Sequence, residues 1–163
     1  MTNKRMYGFR IIVSVVIALL MIGNAKAQEG LGKKAVQGSW RVEVTFVPGP
    51  GALPPSQALH TFSNGGSFLE SNNVFPPSQQ TLGHGSWAHE GGNKFTMTFI
   101  KFLFDPQGQF VGTAKVTEKI KLDPNGNEYT GKGKFEIYDP AGTLIVTGEA
   151  TTHATRIVAG TDE

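Results

Sequence analysis

Glu118 is the residue whose type and position most invite chemistry. In the segment 110–122, Ala114, Val116, Ile120 and Leu122 alternate with Lys115, Thr117, Lys119 and Lys121, and Glu118 falls in step with the apolar set. Strand alternation sends the two sets to opposite faces, so the apolar face, and Glu118 with it, is expected to point inward. A carboxyl among apolar groups favours its neutral form. That raises its pKa and equips it as a hydrogen-bond partner or a general acid/base. Small residues are expected around it: counting back from the turns, Gly131 stands opposite Glu118 and Ala150 beside Gly131. Tyr129, inward on the following segment, would add a second orienting group. Two readings follow. Either Glu118 and Tyr129 anchor a ligand in an interior cavity, or the glycines relieve curvature and Glu118 is answered by Lys101 or a tyrosine hydroxyl.

Other chemistry finds no pattern. His60, His84, His89 and His153 show neither H-x-H nor HExxH spacing, and His84 and His89 differ in strand parity, so no metal site is expected. There is no nucleophile elbow, no phosphate loop and no Ser/His/Asp arrangement, so neither a cofactor nor a covalent catalytic residue is expected. The 163 residues carry a formal net charge of +2. Several of the basic residues lie in the first ten positions, and the remainder is near neutral. That balance points away from nucleic acid and from an anionic membrane surface as partners. With no cysteine, neither disulfides nor a cysteine-linked lipid anchor is available.

The elements that must position Glu118 form a meander. Four strands are expected over 94–104, 110–122, 128–138 and 143–155, separated by Asp105-Pro106-Gln107-Gly108, Asp123-Pro124-Asn125-Gly126-Asn127 and Asp139-Pro140-Ala141-Gly142. In such turns Asp caps the backbone, Pro presets φ and Gly accepts φ > 0. Upstream, 38–47 alternates with Trp40, Val42, Val44 and Phe46 on one face. The segments 58–63 and 67–72 flank the tight turn Asn64-Gly65-Gly66, and 82–90 leads through Gly91-Gly92-Asn93 into the meander. The sum is an all-β chain of eight antiparallel strands, expected to close as an up-and-down barrel rather than a two-sheet sandwich. Its two long loops, 48–57 and 73–81, each contain Pro-Pro-Ser-Gln and fall at one rim, making that end a mouth and the other a base. Trp40 and Trp87, each in a Gly-Ser-Trp tripeptide, sit near the base as structural packing.

The segment 1–27 reads as a leader. Lys4, Arg5 and Arg10 precede an apolar run that ends before Ala25-Lys26-Ala27, a small-x-small cleavage pattern, with the cut expected before Gln28. The run is shorter than the roughly 20 residues of a spanning helix, so no stable membrane anchor is expected after cleavage. The expected product is exported, periplasmic or extracellular. It comprises a coil or short helical turn over 28–37, a barrel over 38–157 and a tail over 158–163.

Gly38-Ser39-Trp40 resembles the G-x-W signature that opens the first strand of lipocalins and the wider calycin group. The leader, the strand count, the meander order and the long first loop agree with that resemblance. It implies that Arg156, just past the last strand, packs over Trp40 in a cation–π contact. The layout is also similar to small exported bacterial proteins of uncharacterised function, and to allene oxide cyclase-like barrels.

The expected function is therefore the binding of a small apolar or amphipathic molecule inside the barrel, more a carrier than an enzyme. Phe46, Phe62, Phe75, Met97, Phe99, Phe110 and Phe135 are expected to line the cavity, with Glu118 and Tyr129 orienting the ligand. Two rivals share the architecture. One is a cyclase or isomerase using Glu118 as its acid/base, and the other is an interaction module with a packed interior and binding loops.

Overall fold

In a computed structural model describing residues 35–49 and 53–160, the chain forms eight strands that close into one antiparallel barrel. They are β1 (Gly38–Phe46), β2 (Ser56–Phe62), β3 (Ser67–Asn72), β4 (Gly83–Gly91), β5 (Lys94–Phe104), β6 (Phe110–Leu122), β7 (Glu128–Tyr138) and β8 (Leu144–Arg156). Each strand pairs with the next in sequence, and β1 pairs with β8, from Trp40 opposite Arg156 to Phe46 opposite Ala150. Closure leaves no unpaired edge. The order is that of an up-and-down meander, and a 3₁₀ turn, Pro77–Gln79, lies between β3 and β4. The leader expected over 1–27 lies outside the described residues, as does most of 28–37.

The Asp-Pro turns work by the mechanism their composition implies. Asp105 Oδ1 accepts the amides of Gln107 and Gln109 at 2.9 and 2.8 Å, and Asp139 Oδ1 accepts that of Thr143 at 2.8 Å. Gly108 and Gly142 complete these turns at φ 78° and 85°, a region that L side chains avoid.

The β6–β7 turn shifts the register expected from the sequence. Asp123 Oδ1 takes the amides of both Asn127 and Glu128, at 2.9 and 3.1 Å, which draws those residues into the turn. The pairing centre moves by one position. Gly133, not Gly131, stands opposite Glu118, and Gly131 lies between Ile120 and Thr152.

Two bulges mark the mouth-end rim. Between Leu103 and Phe104 the partner skips from Gly112 to Phe110. Between Ile137 and Tyr138 it skips from Val146 to Leu144. Each bulge adds a residue and reverses the parity beyond it.

The core lies toward the end that carries the short turns. Trp40, Phe62, Phe68, Trp87, Phe95, Met97, Ile120, Leu122 and Tyr129 form one buried cluster with Val36 and Ala154. Trp40 packs edge-on against Tyr129 at 5.0 Å, and its indole donates to Val36 O at 2.9 Å. The Trp87 indole donates to Ser63 O at 3.0 Å. Arg156 lies over Trp40, 4.1 Å from the ring centroid. Its guanidinium donates to Ala35 O and Gln37 O, each at 2.6 Å, and to Gly126 O at 2.7 Å. One side chain thus fastens the turn before β1 and the β6–β7 turn across the base.

Candidate functional site

Four strands place a polar residue where their alternation calls for an apolar one. His60 stands between Ala58 and Phe62 on β2, Glu70 follows Phe68 on β3, Lys101 lies between Phe99 and Leu103 on β5, and Glu118 lies between Val116 and Ile120 on β6. Each keeps 5% or less of its surface. Thr152 on β8 and Tyr129 on β7 complete the layer. Charged groups this deep in a protein persist only when paired or shifted in pKa, and here both occur.

Lys101 Nζ lies 2.7 Å from Glu70 Oε2. Asn72 Nδ2 donates to the other carboxylate oxygen, Oε1, at 2.5 Å. Lys101 also donates to Gln80 Oε1 at 3.3 Å, and the Gln80 amide donates to Asn72 O at 3.1 Å and Phe75 O at 2.8 Å. The ion pair thereby ties the β3–β4 loop to the barrel wall. Glu70 and Lys101 belong to strands that are not neighbours; β4 runs between them. Gly83 of β4 leaves the gap, since a Cβ there would stand 2.8 Å from Glu70 Oε2.

His60 and Tyr129 satisfy one another, Nδ1 to Oη at 2.7 Å. Burial, and then the Lys101 charge, push the His60 imidazole down to about 3, so it is neutral at physiological pH. Burial, and then the Glu118 charge, push the Tyr129 phenol well above its ordinary value.

Glu118 accepts a short hydrogen bond from the Thr152 hydroxyl. Its carboxyl lies over Gly131, where an added Cβ would come within 1.8 Å of Oε1. Burial raises its pKa to about 7, against the opposing pull of the Thr152 bond. The side chain thus changes charge near neutrality, where an ordinary carboxyl is fully ionised.

Above this layer, on the side of the two long loops, lies a cavity of about 110 Å³. Val44, Phe46, Leu103, Val116, Phe135 and Ile137 are among its walls, Leu53, Val74, Phe75 and Gln80 come from the loops, and His60, Glu70, Lys101, Glu118 and Thr152 line its polar side. Its shape is a short apolar collar over a polar floor. Such a site can hold a compact molecule that has a polar head.

Of the residues expected to line it, Glu118, Phe46, Phe75, Phe99 and Phe135 do so. Phe62 and Met97 are buried in the base cluster instead, below the polar layer. Tyr129 is also in that cluster and reaches the site through His60. Phe110 is outside: the bulge at Val111 turns it outward, 44% exposed, against Phe102 and Phe104 at 5.8 and 6.2 Å. Leu144, beyond the second bulge, and Val146, in the last regular pair before it, both inward by simple parity, are both exposed at the rim. Glu118 meets neither Lys101 nor a tyrosine hydroxyl; its partner is Thr152. His60, Glu70 and the Lys101 pairing were missed as site features, although each interrupts an apolar alternation as Glu118 does. Among the described residues, no three His, Cys, Asp or Glu side chains converge in a way that would hold a metal.

No family model matches the chain, and no curated protein does. Among solved structures, the chain is similar to the crystal structure of Rv2717c from M. tuberculosis. Identity is 13%, over 76% of this chain and 94% of that one, with a TM-score of 0.37.

Proposed function

We propose that this chain is an exported, lipocalin-like barrel that binds a small amphipathic molecule in the half of its interior nearest the long loops. One observation carries the reading: an apolar-walled cavity stands directly on a layer of buried ionisable side chains. A barrel selected only for a solid core gains more from hydrophobic residues of similar volume, because buried charges cost desolvation free energy. Here four positions of the inward face carry a histidine, lysine or glutamate, and those four border the cavity. The base, by contrast, is packed with aromatic rings. Export rests on the leader-like segment 1–27, and kinship with lipocalins on the Gly-Ser-Trp opening and the Arg156–Trp40 contact.

Native mass spectrometry of the protein purified gently from its own host, with solvent extraction, tests both parts. The expected spectrum shows a chain beginning at Gln28 and an extra mass released into the solvent. Purified apo-protein is also expected to take up toluene, a ring small enough for a cavity of about 110 Å³, with a measurable heat of binding in calorimetric titration. Ala114→Phe, which fills the cavity wall, should abolish that heat. If no extra mass is found and the wild type takes up no toluene, the barrel is not a carrier.

A further inference from the structure

Resting on that reading, we propose that the ligand's polar head is a cation, an alkylammonium group of a small amphipathic amine, seated against the Glu118 carboxylate. The charges facing the cavity argue for it. β5 contributes one cation, Lys101, already matched by Glu70 of β3 at 2.7 Å. β7 contributes Lys134 at the border, but its exposed Nζ turns to Glu136, 2.7 Å away. β2 contributes His60, a neutral imidazole bound to Tyr129 of β7. β8 contributes the Thr152 hydroxyl, a single donor to Glu118. When Glu118 ionises, the floor carries one negative charge that no cation answers.

A ligand head of each sign then meets a different fate. An anionic head must draw Lys101 from Glu70, which leaves one buried carboxylate unpaired in place of another. A neutral hydroxyl head can hydrogen-bond to Glu118 but cannot neutralise it. An ammonium supplies three donors and the missing charge, and a carboxylate that already accepts one hydrogen bond retains capacity for more. The apolar body follows from size: an apolar cavity of about 150 Å³ holds benzene. The 110 Å³ found here therefore suits a short alkyl chain or small ring, with any longer tail passing between the loops that carry Leu53 and Phe75.

Calorimetric titration of the mature protein with hexan-1-amine, hexan-1-ol and hexanoate separates these cases. At pH 8.5 the amine is expected to bind at least tenfold more tightly than either of the others. Below pH 7 its affinity should fall towards tenfold per pH unit, because the Glu118 proton must leave before the ammonium can pair. Near pH 6, titrations in two buffers of different ionisation enthalpy should show close to one proton released per amine bound, and none at pH 8.5. Glu118→Gln should lose the preference for the amine over hexan-1-ol. The proton release is read on the wild type alone, so it stands even if the variant fails to fold. Equal or tighter binding of hexan-1-ol or hexanoate, or amine binding without proton release, overturns the ammonium assignment and leaves the carrier reading intact. If none of the three probes binds the wild type, the assignment falls with the carrier reading itself.

Discussion

The two halves of this barrel are made by the same eight strands on the same inward–outward alternation, yet they dispose of buried polarity in opposite ways. At the base, the side-chain donors end on backbone carbonyls: the two indoles on Val36 and Ser63, and the Arg156 guanidinium on Ala35, Gln37 and Gly126. Those acceptors are fixed by the fold and do not titrate. Toward the mouth, polar side chains mostly end on one another: Lys101 on Glu70 and Gln80, His60 on Tyr129, Thr152 on Glu118. Such pairs need every partner present, and they respond to pH. The base is packed as one aromatic cluster, and the layer above it leaves ionisable side chains bordering a cavity.

The largest effect expected from this contrast is in the base. Trp40 is fully buried among Val36, Tyr129 and Arg156, and Trp40→Ala should destabilise by about 4 kcal/mol, the usual range for truncating a buried tryptophan. Phe135 packs against Phe46 at 5.8 Å but is only partly buried on the cavity wall, so Phe135→Ala should cost about 1 kcal/mol. Urea unfolding of both variants measures the difference. Equal losses would mean that the mouth half is packed like the base, and the comparison would dissolve.

Next in size is the ion pair. Lys101→Met leaves Glu70 buried beside Asn72 without a cation, a loss of about 3 kcal/mol. Adding Glu70→Gln should recover most of it, because the double variant buries no charge and Gln retains an acceptor for Asn72. The double-mutant cycle reads the coupling. If the second substitution adds to the loss instead, the pair is net stabilising, and the desolvation argument for a functional floor loses its footing.

The barrel itself was legible because its signals are local. The Asp-Pro turns and the alternation of Trp40, Val42, Val44 and Phe46 each act within a few residues. The Arg156–Trp40 contact was legible from the resemblance, since both residues flank the seam that β1 and β8 close. What escaped depends on longer counts. Asp123 widens its turn by capping two further amides, and this moved Gly133 into the place expected for Gly131. A bulge at Val111 sent Phe110 outside. The Glu70–Lys101 pair escaped for another reason: it spans β4, and only the missing side chain at Gly83 lets strands two apart touch. Composition shows that glycine without showing what leans across it.

The third stability effect concerns pH, and it tests whether the polar layer carries an unanswered charge. Glu118 titrates near 7 in the fold and near 4.5 when solvated. Below 4.5 it is protonated in both states and carries no penalty. Between 4.5 and 7 the unfolded chain ionises this carboxyl while the fold keeps it protonated, so Glu118 by itself costs the apo-protein on the order of 3 kcal/mol by pH 7 and no more above it. His60 works in the other direction. Its imidazole holds no proton in the fold down to about 3, whereas the unfolded chain protonates near 6.5, so stability falls as pH drops from 6.5 toward 3. The two slopes overlap and oppose each other between 4.5 and 6.5, which is where the apo-barrel should be most stable. Glu118→Gln removes only the alkaline limb: unfolding curves of variant and wild type should converge at pH 4.5 and separate by pH 8, with the variant the more stable. Parallel curves across that range would place Glu118 in contact with water or a cation in the free protein, and would take the mouth half's distinguishing charge away from it.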